Sequence, residues 1–180
     1  MKKTFLATIC LFAGMSIYAQ QIDVQPVPQK VIPATQTIKL TGTYLLNGIN
    51  DANPFAAEAL KTILGTSESM KGGMKVFIGE RGDKAVSKYK KFIPAQAEGY
   101  FVRISPKEIV LAGYDERGTY YAVQTFRQLI ENGQVPVTEI TDWPDIRFRG
   151  VVEGFYGTPW SHEARLRHLK FYGQNKMNTY

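Results

Sequence analysis

The stretch Val152-Glu153-Gly154-Phe155-Tyr156-Gly157-Thr158-Pro159-Trp160 gathers the residues of this chain best suited to hold a ligand. Gly154 has no side chain, so a ligand can approach its backbone and use its carbonyl as a hydrogen-bond acceptor. Phe155 and Tyr156 offer flat faces that suit sugar rings or acyl groups, and Tyr156 adds a phenolic donor. Gly157 and Pro159 shape the turn. The same spacing also fits aromatics that plug the end of a barrel, and spacing alone leaves both readings open.

The other polar candidates have plainer explanations. Strand alternation sets Glu153 on the opposite face from Val152 and Gly154, with Arg147 and Arg149 on its own side. An ion pair therefore explains it better than acid catalysis. His162 and His168 stand too far apart around a helix to share a metal. Asp115 and Glu116 are adjacent carboxylates, but they open a helix, where capping accounts for them. The FIGERGDK loop has flanking glycines without the rest of a phosphate-binding pattern. None of these candidates reads as an acid catalyst, a shared metal site or a complete phosphate-binding pattern.

The elements around the corner read as one βαβ step. RGVVEG, residues 149–154, is apolar and β-branched, as in a strand buried on both faces. Ser161 caps a helix in which Leu166, Leu169 and Tyr172 face inward, while Arg165, Arg167 and Lys170 point elsewhere. The sequence MNTY begins a second strand. Such a step cannot bury both strand faces alone, and a (β/α)8 barrel runs to about 250 residues. The expectation is that 146–180 opens a barrel and that the chain is the N-terminal part of a longer protein.

Residues 20–145 read as a separate α/β domain. Pro26, Pro28 and Pro33 suit an extended lead-in or edge strand. Strands follow near Thr37–Leu40 and Tyr44–Asn47. A helix is capped by Asn53, started by Pro54 and ended by Gly65, with Phe55, Ala59, Leu60 and Ile63 on one face. MKVFIG is a strand, and the Lys84, Lys88, Lys91 run is a solvated helix opposite Ala85, Tyr89 and Phe92. EGYFVRIS and KEIVLAGY form a hairpin about Ser105-Pro106. A helix opens at Asp115 with Tyr121, Val123, Phe126, Leu129 and Ile130 on its apolar face, and Gly133 closes it. VPVTEI is the last strand, and Trp143 stands ready to pack between domains.

Residues 1–19 have the form of a secretory signal. Lys2 and Lys3 precede the short apolar run Phe5–Ala13, and cleavage after Ala19 fits; the run is too short to span a bilayer. Lipoprotein processing at Cys10 is disfavoured by bulky Ile9 before it. The reading is a secreted or periplasmic protein with no integral membrane segment after cleavage. Cys10 is the only cysteine, so the mature chain has no disulfide or thiolate metal site. The formal charge of +6 falls to roughly +4 once Lys2 and Lys3 leave, too mild to argue for nucleic acid.

The run RGVVEGFYGTPWSHEARLRHLKFYGQNKMNTY closely resembles the opening of the catalytic barrel in glycoside hydrolase family 84, the retaining β-N-acetylglucosaminidases that include O-GlcNAcases. The preceding EGYFVRISPKEIVLAGYDERGTYYAVQTFRQLI resembles the small α/β domain before that barrel, which family 20 hexosaminidases share. The resemblance implies that Gly154 offers its carbonyl to a ring hydroxyl of the bound sugar. Tyr156 lies near the acetamido pocket, with Phe155 between them. The family's adjacent catalytic aspartates and its substrate-binding lysine belong further along than Tyr180. It also implies a carbohydrate partner bearing N-acetylglucosamine, no cofactor, and catalysis in which the substrate's own acetamido oxygen attacks the anomeric carbon. The alternatives are a family 20 hexosaminidase, disfavoured because that family's first barrel strand leads into an Asp-Arg-His pattern, and a non-catalytic carbohydrate-binding or scaffolding module.

Overall fold

The structure is a computed structural model that describes residues 22–33, 36–40, 42–65, 67–68, 73–154 and 156–180. The signal segment 1–19 and Phe155 lie outside the described residues. Among those described, β1 (Lys30–Ile32), β3 (Thr43–Asn47), β4 (Ser67–Glu68), β5 (Met74–Glu80), β6 (Tyr100–Ile104), β7 (Glu108–Gly113) and β9 (Thr138–Asp142) form a mixed sheet. Its order is β1-β9-β6-β7-β5-β3-β4. The β7-β5-β3-β4 half is parallel and the β1-β9-β6-β7 half antiparallel. β2 (Thr37–Lys39) and β8 (Gln134–Pro136) make a separate ribbon.

Apolar residues on both faces of the central strands require cover on both sides. Tyr100, Val102, Ile109, Leu111, Val76 and Ile78 face α1 (Pro54–Leu64) and α2 (Glu116–Leu129). Phe101, Val110 and Ala112 face a short 3-10 segment, Lys84–Tyr89, through Val86 and Tyr89. Arg103 stacks across Tyr89, Phe92 and Phe101 and pairs with Glu139 at 2.8 Å, closing that second layer at its rim. The start of α2 lies so close to β6 and β7 that a Cβ on Gly118 would sit 2.2 Å from the Gly99 carbonyl oxygen. Only glycine permits that approach.

Local signals fix the helix ends. The Asn53 side chain accepts from the N–H groups of Phe55 and Ala56, and Gly65 ends α1 in the left-handed region at φ 59°. Asp115 accepts from Gly118 N–H at the start of α2. The edge strand β1 follows the proline-rich lead-in, and the β6–β7 hairpin turns at Ser105-Pro106.

Several expectations need correction. Phe55 is exposed; α1 buries Ala56, Ala57, Leu60 and Leu64, a stripe on which Ala59 and Ile63 are only flanking. The Lys-rich run is a 3-10 segment, whose three-residue period puts both Val86 and Tyr89 on the sheet. VPVTEI is split: Pro136 has no N–H to continue a ladder, so β8 ends there and β9 restarts in the main sheet. α2 ends at Leu129, and Gly133 serves the tight turn before β8 instead, at φ 72°.

The largest differences fall in 146–180. The two anticipated strands share one parallel bridge among the described residues, Gly150↔Thr179, where a Cβ on Gly150 would collide with the Thr179 carbonyl at 1.7 Å. Val152 is 92% exposed, against the expectation of a strand buried on both faces. α3 (His162–Gln174) is capped by Ser161 as the sequence predicts, yet no residue in it is buried, and Leu166 and Leu169 are exposed. Such faces bury only against further strands and helices, and none lies over them among the described residues.

Phe126 is fully buried while Phe55 is 73% exposed. Phe126→Ala is expected to lower unfolding free energy by about 3–5 kcal/mol. Phe55→Ala should change it by less than about 0.5 kcal/mol. Urea unfolding of both variants checks the pair.

Candidate functional site

The described residues of the corner lie at the surface. Gly154 and Tyr156 are exposed, Tyr156 at 90%. Gly154 is not in the left-handed region, and a Cβ there would meet nothing within 4 Å, so neither conformation nor packing among the described residues demands glycine. Gly157, at φ 103°, has a conformational reason to be glycine. Beside the corner lies a cleft of about 600 Å³ lined by Phe148, Val152, Glu153, Arg165 and Tyr180. Sequence reading placed Gly154, Phe155 and Tyr156 together; Gly154 and Tyr156 share an open surface, and Phe155 lies outside the described residues.

Glu153 holds this corner together. Its carboxylate accepts both Arg165 Nε and Arg165 Nη2 at 2.8 Å, the backbone N–H of Trp160 at 3.2 Å, and the Tyr180 hydroxyl. Hydrogen bonds from Arg165 first, then Tyr180, hold its pKa down to about 2. It is ionised at neutral pH with its lone pairs engaged, which disqualifies it as a general acid. The ion pair anticipated from the sequence exists, but the partner is Arg165 on α3, not Arg147 or Arg149. His162 and His168 do not converge: His168 meets the Trp160 ring edge-on at 4.3 Å. Among the described residues no group of three or more His, Cys, Asp or Glu could hold a metal ion.

Arg149 turns the other way, into a polar joint with the sheet domain. Its Nη2 donates to Glu98 Oε2 at 2.5 Å, and its other nitrogens donate to the carbonyls of Ile146 and Lys176. Glu98 Oε1 also accepts from Arg117 at 3.0 Å and Asn178 at 2.8 Å. Burial pushes the Glu98 carboxyl up, but Arg149, Asn178 and Arg117 together hold it below its ordinary value. Next to this, Lys176 Nζ lies 2.7 Å from the Tyr100 hydroxyl and 3.6 Å from Asp142 Oδ2. Tyr100 donates to Asp142 at 2.6 Å and accepts from Thr125 at 2.7 Å. Trp143, expected between domains, lines the small 190 Å³ cavity here with Lys176, Arg149 and Tyr121.

Sequence reading missed this joint. Its members lie far apart in the chain, and Glu98 and Lys176 adopt φ of 62° and 61°, which their side-chain types do not advertise. The one usable signal was the pair Arg149 and Asn178 flanking two strand-like runs.

Residues 21–143 match the family described as "Glycosyl hydrolase family 20, domain 2", and residues 149–180 match "beta-N-acetylglucosaminidase". The solved structures of CpGH84B and CpGH84D align over 88% of this chain, at 30% and 21% identity, with TM-scores of 0.78 and 0.76. A beta-N-acetylhexosaminidase from Bacteroides fragilis aligns over 85% at 21% identity with a TM-score of 0.58. This chain spans 29%, 30% and 31% of those three proteins. Among the described residues no helix is long and apolar enough to cross a membrane.

Burial brings the Lys176 ammonium down to about 8, against the pull of Asp142. The unfolded chain keeps that proton to about 10.4. Unfolded Lys176 therefore binds more protons between pH 8 and 10, and stability gains from it as pH rises through that window. The expected gain is on the order of 2 kcal/mol. Urea midpoints measured across it should rise in the unsubstituted protein relative to Lys176→Met, which lacks the titrating group.

Proposed function

The chain belongs, through residues 21–143, to the glycosyl hydrolase family 20 domain 2 family and is a hexosaminidase- and family 84-like N-terminal portion; on that premise we propose that it comes from a retaining β-N-acetylglucosaminidase of the family 84 type. Residues 20–145 are the N-terminal α/β domain and 146–180 the opening of a (β/α)8 barrel, with residues 1–19 a signal that exports the enzyme. Its substrate is a terminal β-linked N-acetylglucosamine, of the O-GlcNAc kind.

The chemistry proceeds without an enzyme nucleophile. The acetamido oxygen of the substrate attacks the anomeric carbon, the glycosidic bond breaks, and an oxazoline forms. One of two adjacent aspartates beyond residue 180 orients and polarises the acetamido N–H. The other protonates the leaving oxygen and then takes a proton from the water that opens the oxazoline. Gly154, Phe155 and Tyr156 line the sugar pocket, Gly154 through its carbonyl.

The observation that carries this reading is Gly154 itself. It stands in open space with an ordinary backbone conformation, which leaves room for a ligand to lie against its backbone, and it falls within the residues that match "beta-N-acetylglucosaminidase". A family 20 enzyme is the second reading, favoured by the match of residues 21–143. Glu153-Gly154-Phe155-Tyr156-Gly157 speaks against it, since an Asp-Arg-His pattern belongs there in family 20.

The full-length protein is expected to hydrolyse para-nitrophenyl N-acetyl-β-glucosaminide with retention, and the 180-residue chain to give no turnover. In the full-length protein Gly154→Leu should raise KM by about tenfold or more through lost sugar contact. Turnover by the 180-residue chain, or unchanged KM in the variant, would contradict the assignment of acids and pocket respectively.

A further inference from the structure

We propose that Glu153 is the positioning residue of the corner: its carboxylate sets where Gly154 and residues 156–160 lie, and through them where a ligand beside Gly154 sits. This deepens the β-N-acetylglucosaminidase reading and depends on it for the identity of the ligand. A carboxylate has about four acceptor sites, and here each is used. Oε1 takes the Trp160 N–H and Arg165 Nη2, and Oε2 takes Arg165 Nε and the Tyr180 hydroxyl.

Those donors come from three pieces of chain. Trp160 is the far end of the corner, Arg165 belongs to α3, and Tyr180 follows the segment bridged to Gly150 through Thr179. Neutralising Arg165 needs only the bidentate fork. The bond to Trp160 N–H does something else: it closes a ring of chain with Gly154 and Tyr156 inside. Trp160 extends the restraint by packing edge-on against His168 at 4.3 Å, and His168 lies 6.0 Å from Tyr172. With its acceptor sites filled and no proton to give at neutral pH, Glu153 reaches a ligand only through the geometry it imposes.

Two measurements test this. In the full-length protein, Glu153→Gln keeps the size and loses the charge. It is expected to raise KM for para-nitrophenyl N-acetyl-β-glucosaminide about tenfold, roughly the worth of one charge-assisted hydrogen bond, with kcat within about threefold. The pH–rate profile should keep its shape. Arg165→Lys, which keeps the charge without the fork, should shift KM less in the same direction. Unchanged KM, or a displaced acid limb marking Glu153 as a proton donor, overturns the proposal.

The second measurement needs no activity. In the full-length protein, subtracting the emission of the Trp160→Phe variant isolates Trp160 from every other tryptophan. On that difference signal Glu153→Gln should raise acrylamide quenching of Trp160 about twofold at neutral pH, as the lost bond frees the corner. With Glu153 intact, the same rise should appear on acidification. Its folded pKa is depressed, so the contacts hold above about 4.5 and are lost as pH falls through about 2. Unchanged quenching overturns the brace. A full-length protein that leaves the glucosaminide intact overturns the enzymatic reading instead, and the quenching arm then judges the brace alone.

Discussion

One buried carboxylate, Glu98, fixes the relation between the sheet and everything that follows it. It accepts from Arg117 on α2, from Arg149 at the start of the corner segment and from Asn178 at the chain's far end. A buried charge left without its partners is costly, so these donors must arrive together. Glu98 in turn is held in its left-handed conformation by Asp115, whose Oδ2 accepts from the Glu98 N–H at 2.8 Å while Oδ1 caps α2. A helix cap and a domain joint thus share one side chain. Asp115 belongs to the adjacent acidic pair that superficially looks catalytic, and its work is structural at both ends.

The joint grips one end of the segment, and the other end is exposed. Arg149, Lys176 and Asn178 are tied to the sheet domain, whereas Gly154, further along the same run, is exposed, with open space where a side chain would be. On the proposed function this separates duties. The α/β domain holds the root of the barrel opening, and the ligand is met at the opposite end, where barrel enzymes gather their loops. Glu153 and Glu98 are the two carboxylates of this arrangement, one for each end.

What could be read from the sequence was local. The Asn53 and Gly65 signals at the ends of α1, the Asp115 and Ser161 caps and the Ser105-Pro106 hairpin involve neighbours in the chain, and each is where the sequence puts it. What could not be read was set by distant partners. Phe55 has a helical spacing that fits a buried face, yet the sheet meets the stripe one residue on, through Ala56 and Leu60. VPVTEI divides because two different sheets claim its halves. Strand alternation pointed Glu153 at Arg149, but alternation holds only within a paired strand, and residues 151–154 have none beyond the Gly150 bridge. The aromatic corner was legible as a motif, while the carboxylate that braces it was legible only as a charge.

The pairing of β1 with β9 has a consequence for the order in which the domain can form. The first strand among the described residues finds its neighbour in β9, the last strand of the sheet, with Lys30 opposite Thr141. A nascent chain delivered amino end first must therefore wait, its opening strand uncommitted, until β9 has emerged. Topologies closed by such distant partners pay their loop entropy late and fold as a unit. Shortened products that stop ahead of β9 lack the ladder that seats β1, and they also lack Arg149 and Asn178, which follow β9 in the chain and complete the joint at Glu98.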